Sequence, residues 1–310
     1  MNKCPITYEQ CGTQRYSKKG LQLLSPKLKE LNDFPFGKEE QLELALDYAD
    51  KMSFSGVQRK LNARLSISRQ SFEVVVKGGH FIIKPQSPDY AELPQNEDLT
   101  MKLAACAGIP VPLHGLIYCQ DGSLSYFIKR FDKKGVNERI AVEDFAQLAG
   151  VSPETKYDFS MEKVIPIIEK YCSFPRLEKK KFFLLILFSF LIGNEDLHLK
   201  NLSLITQEGI TEFSPAYDLL NSSITLKTSE ELALPLRGKK SSLTRGDLVE
   251  YFGMERLQLS SETIKVMLDC LQQVTGRWQD LIQISFLSER KKTAYLYLLE
   301  ERKKRLFRIV

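Results

Sequence analysis

Polar residues interrupt the most apolar part of the chain in a pattern that could perform chemistry. The run Phe182–Ile192 is followed by Gly193–Asn201, which reads GNEDLHLKN, and then by the apolar run Leu202–Ile205. Polar side chains clustered between apolar segments cost free energy unless they bind something. Asp196 and Asn201 have the spacing Asp-x-x-x-x-Asn, in which the Asp can accept the proton of a substrate hydroxyl and the Asn can hold Mg²⁺. The pattern indicates phosphoryl transfer, although a match at two positions also arises by chance in a chain of this length.

Two further residues stand in the chain order that phosphoryl transfer requires. Lys84 ends the apolar run Phe81–Ile83, from which its ammonium group could neutralise the phosphates of a nucleotide. Asp218 lies downstream of the Asp-x-x-x-x-Asn pattern, and its carboxylate would supply a second oxygen ligand for Mg²⁺. Glu97 and Glu92 both lie in the next predicted helix after Lys84. Either glutamate could orient the lysine through an ion pair.

Each of these residues also has an ordinary structural interpretation. A lysine at the end of a strand is usually solvated, and Asp218 could cap a helix that begins at Leu219. His198 could be a metal ligand, but a hydrogen-bonded loop histidine is commoner, and no second His lies within 80 residues of it. The chain contains no G-x-S-x-G elbow and no G-x-x-x-x-G-K-[ST] loop, which excludes the α/β-hydrolases and the P-loop enzymes.

The composition is that of a globular protein with room for two domains. The chain has 310 residues, of which 43% are hydrophobic and 27% charged, and this excludes fibrous and disordered classes. The formal net charge is only +5, although residues 289–310 hold eight Lys or Arg against three Glu, so a nucleic-acid coat is not indicated. Six scattered cysteines indicate reduced thiols, and no apolar run reaches the roughly 20 residues that span a bilayer. We therefore expect a cytoplasmic protein without membrane association.

Hydrophobic periodicity divides the chain into a β-rich first part and a helical second part. In the first part, helices are predicted at 38–51 and 91–107, and strands at 61–67, 72–76, 81–83, 111–118 and 124–131. In the second part, short strands are predicted between 193 and 236, and helices near 141–149, 160–172, 178–192, 243–252, 261–284 and 288–307. This order predicts an α+β fold with a small β-rich N-lobe at 1–132 and a large helical C-lobe at 133–310.

Four motifs, in the same order along the chain, resemble those of the HipA-type serine/threonine kinases, which are toxins of bacterial toxin–antitoxin modules. They are Ser53–Lys60 (SFSGVQRK), Phe81–Pro85 (FIIKP), the Gly193–Asn201 loop and Tyr217-Asp218. Glu143–Leu148 (EDFAQL) is in addition similar to a helix start found in these proteins. Only 52 residues precede Ser53, so the chain is more similar to the short HipT form, whose missing N-terminal subdomain is supplied by a separate small protein, HipS.

The resemblance implies a bilobal protein-kinase-like fold and a role for each matching residue. Asp196 would be the catalytic base, Asn201 and Asp218 the Mg²⁺ ligands, and Lys84 the phosphate-binding lysine. Residues 53–60 would form the loop that covers the phosphates. The further nucleotide-binding residues implied are Ser53, Phe54, Ser55, Gly56, Val57, Gln58, Lys60, Glu97, His198 and Lys200. Ser53 matches the serine that the family autophosphorylates, and Ser55 is a second candidate.

The implied activity is transfer of the ATP γ-phosphate, with Mg²⁺, to a protein serine or threonine. The family suggests an aminoacyl-tRNA synthetase as target, with translation arrest, slow growth and persistence as the result. A HipS-like protein and a DNA-binding HipB-like antitoxin would be partners, and nucleic acid would be contacted only through the antitoxin. Two alternatives stay open: a small-molecule or lipid kinase on the same scaffold, and a non-catalytic subunit of a DNA-binding complex that uses the basic tail Arg302–Arg305.

Overall fold

The fold of the chain is given by a computed structural model, which describes residues 1–47, 59–135, 138–151, 159–226 and 230–307. The chain divides into two compact units. Unit 1 comprises Met1–Leu99, Pro112–Arg139 and Ile284–Leu287. Unit 2 comprises Thr100–Val111, Ile140–Gln283 and Ser288–Val310.

Unit 1 is built on a five-stranded antiparallel sheet whose strand order is β2-β1-β3-β5-β4. The strands are β1 (Leu61–Ser66), β2 (Ser71–Val74), β3 (Phe81–Lys84), β4 (His114–Tyr118) and β5 (Leu124–Lys129). Each lies within or next to a predicted β-rich run, and the predicted antiparallel arrangement is confirmed. A two-residue hairpin follows, made of β6 (Lys133–Lys134) and β7 (Glu138–Arg139).

Three helices accompany this sheet: α1 (Lys18–Leu24), α2 (Lys38–Asp47) and α3 (Leu93–Cys106). The last two correspond to predicted helices, and α3 is followed by Gly108, which has a positive φ of 80°. The short α1 was not predicted. It begins at Ser17, whose Oγ accepts a hydrogen bond from the Gly20 N–H, as N-cap serines do.

The first residues of the chain cover the β4 edge of the sheet in unit 1. The Pro5 carbonyl accepts a hydrogen bond from the Leu116 N–H, and the Phe34 N–H donates to the Tyr118 carbonyl. Phe34 is buried and belongs to the same apolar core as Phe72, Phe81 and Phe127 of the strands. Because an open strand edge is a site for unwanted pairing, this segment protects the sheet.

Unit 2 contains a small antiparallel sheet with the order β10-β9-β8, made of β8 (Ala141–Asp144), β9 (Ser203–Gln207) and β10 (Ile210–Phe213). Residues 141–144 were predicted to be helical, and this prediction is wrong. They pair with β9 instead, and the helix begins only at Phe145 because Asp144 forms a capping box with Gln147. The helix start that the EDFAQL motif suggested is thereby confirmed.

The other predicted helices of unit 2 are present, with shifted ends except for α7, whose limits agree with the prediction. They are α4 (Phe145–Ala149), α5 (Met161–Tyr171), α6 (Pro175–Ile192), α7 (Ser261–Ile284) and α8 (Glu289–Phe307). The segment predicted as a helix at 243–252 is a π-helix over Gly246–Arg256. None of the helices within the described residues is long and apolar enough to cross a membrane.

Candidate active site

The buried helix α6 positions the loop that contains Asp196. Its C-terminal half is almost wholly apolar and nearly all buried, as Phe188, Phe190 and Ile192 illustrate with no exposed surface. The helix ends at Gly193, which has a φ of 72° and donates its N–H to carbonyls of the last turn. The Asn194 N–H donates to the Ser189 carbonyl, which completes a Schellman-type termination. The loop therefore leaves a rigid support at a fixed angle.

Asp196 and Asn201, predicted from the sequence as a catalytic pair, are joined directly. The Asn201 Nδ2 donates a hydrogen bond to the Asp196 carbonyl at 2.7 Å. The Asp196 N–H is in turn held by the Asn194 Oδ1 at 3.1 Å. Although its neighbours Glu195 and Leu197 are buried, the Asp196 side chain is 42% exposed. The loop thus presents one carboxylate to solvent while its backbone is fixed.

His198 orients the loop from inside. Its Nδ1 accepts the Lys200 N–H at 3.2 Å and so caps the 3₁₀ turn Leu199–Asn201. Because Nδ1 accepts, the proton of a neutral ring lies on Nε2, which is 3.7 Å from the Asp196 Oδ1. The ring is 6% exposed. The nucleotide contact predicted for His198 stays a prediction, whereas its hydrogen bond inside the loop is a feature of the fold.

Residues to which no sequence pattern pointed also brace this loop. The Ser222 Oγ accepts the Glu195 N–H at 2.7 Å and donates to the Gly193 carbonyl at 3.1 Å. Ser223 donates to the Glu195 carboxylate. These serines lie more than twenty positions from the loop in the chain, and no spacing pattern links them to it. Only the tertiary fold brings them there.

Asp218, predicted as the second Mg²⁺ ligand, has a left-handed backbone conformation with a φ of 54°. Such a conformation is uncommon for a residue other than glycine and occurs preferentially at functional sites. No helix begins at Leu219, since residues 219–222 are irregular. The helix-capping interpretation of Asp218 is therefore wrong.

Tyr217 connects the Asp218 segment to the Asp196 loop. Its hydroxyl donates to the Lys200 carbonyl at 3.0 Å and also contacts the Ser203 Oγ. Burial raises the pKa of the phenol well above its ordinary value, so the hydroxyl stays protonated. Lys200 precedes Asn201, and Tyr217 precedes Asp218. The two segments predicted to bind Mg²⁺ are therefore hydrogen-bonded to each other in unit 2.

In unit 1, Lys84 forms a buried ion pair with Glu97 of α3. The distance from Lys84 Nζ to Glu97 Oε1 is 2.6 Å, and the side chains are 4% and 0% exposed. Lys84 lies opposite Tyr126 in the sheet, and its ammonium is 5.6 Å from the Tyr126 ring centre. The ion pair predicted from the sequence is thus present with Glu97, and the solvated interpretation of Lys84 is wrong. An ion pair from a β3 lysine to the helix that follows is a feature of protein-kinase sites.

A second buried pair lies on the same helix as Glu97. Asp98 Oδ1 is 2.9 Å from the Nδ1 of His114, and both side chains are almost completely enclosed. Two consecutive acidic residues of α3 are therefore buried and paired in unit 1. Sequence patterns suggested only the first of these pairs, because charged residues in a helix are usually solvated.

The remaining predicted nucleotide contacts divide between described and undescribed residues. Lys60 lies directly before β1 and Lys200 lies in the 3₁₀ turn of the Asp196 loop; both are half-buried. Ser53, Phe54, Ser55, Gly56, Val57 and Gln58 lie outside the described residues. Their roles in the phosphate-covering loop, and the phosphorylation of Ser53 or Ser55, stay predictions.

The residues of unit 2 fit a Mg²⁺ ion that also uses substrate phosphates. No group of three or more His, Cys, Asp or Glu that could hold a metal occurs in the part of the chain that the structure describes. The predicted set is smaller: the Asp218 carboxylate and the Asn201 amide oxygen. Because the Asn201 nitrogen donates to Asp196, its oxygen is left to act as a ligand. Mg²⁺ in nucleotide-dependent enzymes is commonly bound by one or two protein groups with phosphates and waters.

Comparison with solved structures identifies the class of fold. HipA in the Shewanella oneidensis complex of HipA, HipB and operator DNA matches 91% of this chain and 74% of its own, with a TM-score of 0.69 at 21% identity. The Helicobacter pylori proinflammatory kinase CtkA matches 73% of this chain and 86% of its own, with a TM-score of 0.53 at 15% identity. The chain therefore has an α+β kinase-like fold, as the sequence predicted.

Sequence comparison then identifies the family. Residues 52–278 match the model of the HipA-like C-terminal domain, and the chain belongs to the HipA family. A Haemophilus influenzae protein named "Putative kinase" is 27% identical over 76% of this chain and 73% of its own length. A protein from Sinorhizobium fredii is 30% identical over 81% of this chain and 64% of its own length. The serine/threonine-protein kinase toxin HipA of Shewanella oneidensis is 26% identical over 61% of this chain, but the match spans only 48% of the toxin.

Proposed function

We propose that this protein transfers the γ-phosphate of ATP to a serine or threonine hydroxyl of another protein. The observation that carries the proposal is the geometry of the Asp196 loop. Its backbone is fixed by Asn194, Asn201 and His198, while its carboxylate is half-exposed. A fixed and accessible carboxylate is what a hydroxyl acceptor requires for alignment and proton removal.

In the proposed reaction Asp196 accepts the proton of the substrate hydroxyl. The hydroxyl oxygen forms a bond to the γ-phosphorus, the bond from that phosphorus to the β-phosphate bridging oxygen breaks, and ADP leaves. Asp196 therefore needs to be accessible before transfer, and its side chain is 42% exposed. Kinase sites act mainly by positioning and charge neutralisation.

Lys84 would neutralise the nucleotide phosphates from unit 1. Its ammonium is held by Glu97 at 2.6 Å in a dry environment, where a charge interacts more strongly with a phosphate than it does in water. Asn201 and Asp218 would hold Mg²⁺ in unit 2. When bound, this ion neutralises charge that develops on the transferred phosphate.

We further propose that the chain acts as a toxin of a toxin–antitoxin module. The support is its family membership and the likeness of its fold to a HipA that was solved with HipB and operator DNA. A HipB-like antitoxin and a HipS-like small protein are the proposed partners, and an aminoacyl-tRNA synthetase is the proposed target. Phosphorylation of the target would arrest translation and growth.

The alternative of a DNA-binding scaffold finds no support in the basic tail. Arg302 and Arg305 both pair with the buried Glu231, and both guanidinium groups lie over the Phe190 ring. Lys303 and Lys304 pair with glutamates one turn earlier in α8. Both arginines are therefore engaged in contacts within unit 2.

Incubation with labelled ATP, Mg²⁺ and a host lysate tests the proposal. We expect labelled protein bands with the wild-type chain and none with Asp196→Asn. Identification of the bands by mass spectrometry would name the target. Label that enters only a small molecule or lipid would support the small-molecule kinase instead, and no label in any fraction would exclude a kinase.

Self-phosphorylation is tested separately by intact-mass measurement. A phosphate on Ser53 or Ser55 adds about −1.5 to −2 charges beside the triphosphate, and this repulsion would expel the loop and silence the kinase. Replacing both serines with alanine should abolish the added phosphate mass after incubation with ATP. An unchanged mass increase in that variant would locate the modification elsewhere.

A further inference from the structure

The Tyr217 hydroxyl joins the two segments that carry the proposed metal ligands. It donates to the Lys200 carbonyl at 3.0 Å. A phenol has one proton, so this bond fixes the direction of the second contact: the Ser203 hydroxyl must donate to the Tyr217 oxygen. The result is a short relay of hydrogen bonds from Ser203 through Tyr217 to the backbone beside Asn201.

The backbone at Asp218 needs such support. Its φ of 54° is disfavoured for a residue with a side chain, and a conformation of this kind persists only when its surroundings impose it. On the C-terminal side Leu219 is fully buried. On the N-terminal side the constraint is the Tyr217 hydroxyl, together with a hydrogen bond from the Ala216 N–H to the Pro110 carbonyl.

Packing alone does not hold the segment that leads to Asp218. A largely apolar cavity of about 70 Å³ lies against it within unit 2. Its wall includes Asn201, Ser203, Ser214, Pro215 and Ala216. Groups that border a void lose part of their dispersion contacts. The hydrogen bond from the Tyr217 hydroxyl to the Lys200 carbonyl therefore contributes to holding this segment beside Asn201.

We propose that Tyr217 is a positioning residue, which holds the Asn201 and Asp218 segments at the separation that one divalent cation requires. This inference rests on the proposed function. Without the hydroxyl, the Lys200 carbonyl would lose its partner and the Asp218 segment could shift toward the cavity. Metal affinity would fall while the remainder of unit 2 kept its fold.

The test compares Tyr217→Phe with a matched control in the full chain. Tyr16→Phe also removes a buried hydroxyl that bonds to the backbone, since Tyr16 is 4% exposed and accepts the Tyr118 N–H at 3.0 Å. Mg²⁺ is titrated at a fixed concentration of a non-hydrolysable ATP analogue, and the rise of the thermal unfolding midpoint is recorded. The same titration is repeated with ATP as a turnover assay.

We expect Tyr217→Phe to raise the half-saturating Mg²⁺ concentration roughly three- to tenfold in both assays, which corresponds to one lost hydrogen bond. Tyr16→Phe should leave it unchanged. Ser203→Ala should raise it less, and should add little in the Tyr217→Phe background because the two hydroxyls act in one relay.

Two results would overturn the inference, and they are distinguishable. If wild type responds to Mg²⁺ and nucleotide but Tyr217→Phe has the same half-saturation as Tyr16→Phe, Tyr217 has only a structural role. If wild type shows no Mg²⁺-dependent response to the nucleotide, the proposed function fails and the inference fails with it. Should Tyr217→Phe not fold, Ser203→Ala decides the question: a raised half-saturation supports the relay, and an unchanged one excludes it.

Discussion

The predicted site residues of unit 1 and those of unit 2 are held by different physical means. In unit 1, Lys84 forms a buried ion pair with Glu97, which comes from a separate element of the fold. In unit 2, the Asp196 loop is fixed by hydrogen bonds to its backbone: the Asn194 Oδ1 and the Ser222 Oγ accept backbone N–H groups, and the Asn201 Nδ2 donates to a carbonyl. The position of Lys84 thus depends on charge, whereas the Asp196 loop depends on several neutral hydrogen bonds.

This difference determines how each group of residues responds to a substitution. Removing one member of a buried ion pair leaves an uncompensated charge in a dry environment, which is costly. Removing one of several neutral hydrogen bonds costs less, because the others keep the backbone in place. We therefore expect the Lys84 ion pair of unit 1 to be more sensitive to the loss of one partner than the Asp196 loop of unit 2 is to the loss of one hydrogen bond.

The largest effect should come from the reacting carboxylate itself. Asp196→Asn keeps the backbone bonds of the loop but removes the proton acceptor, so kcat should fall by at least on the order of 10²-fold. Nucleotide binding, measured by calorimetry, should change little. Near-normal turnover of this variant would show that Asp196 is not the proton acceptor.

Breaking the charged anchor should cost stability as well as activity. Lys84→Met leaves the Glu97 carboxylate buried, and we expect a loss of about 3–5 kcal/mol in the free energy of unfolding. Arg64→Met, in the neighbouring strand β1, is the control, because it breaks an exposed ion pair with Glu73 and should hardly change stability. Equal losses in urea denaturation would show that burial of the Lys84 pair is not decisive.

The support of the Asp196 loop can be tested at Gly193. A Cβ atom there would lie 2.6 Å from Leu298 and 2.7 Å from Ser223, in a backbone with a φ of 72°. We expect Gly193→Ala to cost roughly 2–4 kcal/mol from strain and overpacking together.

Gly209→Ala separates these two causes. Gly209 has a φ of 80°, and a Cβ atom at this position would have no neighbour within 4 Å, so only the backbone strain, about 1 kcal/mol, should appear. If both variants lose the same free energy of unfolding, the contacts around Gly193 contribute nothing to the support of the loop.

The smallest effect should be a change in acid sensitivity at α8. Burial alone would raise the pKa of Glu231, but hydrogen bonds from Arg305 and the Leu243 N–H hold it below the ordinary value of 4.5. Since the folded pKa is lower than the unfolded one, this carboxylate stabilises the fold above about pH 4.5, and the contribution is lost as the pH falls through the folded pKa. Glu231→Gln should therefore flatten the decline of stability below that pH. An unchanged decline would show that other carboxylates control it.

Much of the fold could be predicted from the sequence because its elements follow local rules. The strands of unit 1 and helices α5 to α8 were found from hydrophobic periodicity, and the limits of α7 agree with the prediction. Failures occurred where tertiary contacts prevailed. Residues 141–144 become a strand because β9 offers a pairing edge, which no feature of their own sequence reveals.

The predicted site residues divide in the same way, into those that the sequence indicates and those whose roles only the tertiary structure reveals. Asp196, Asn201 and Asp218 could be suggested because their types and order are sufficient to indicate the chemistry. The role of Tyr217, although it belongs to the Tyr217-Asp218 motif, and the role of Ser222 could not be predicted, because both arise from contacts with distant segments. Their partners are fixed only when α6, β9 and the irregular segment after Asp218 have packed.

The sequence by itself determined which chemical groups the chain possesses, their order, and the helical or extended preference of most segments, since these depend on residues within a few positions of one another. The tertiary structure decided which groups meet. It selected Glu97 as the partner of Lys84, enclosed the tail arginines around Glu231, and brought the Tyr217 hydroxyl to Lys200. Such pairings depend on strand register and helix packing between segments far apart in the chain, where burial makes a satisfied polar contact necessary and an unsatisfied one costly.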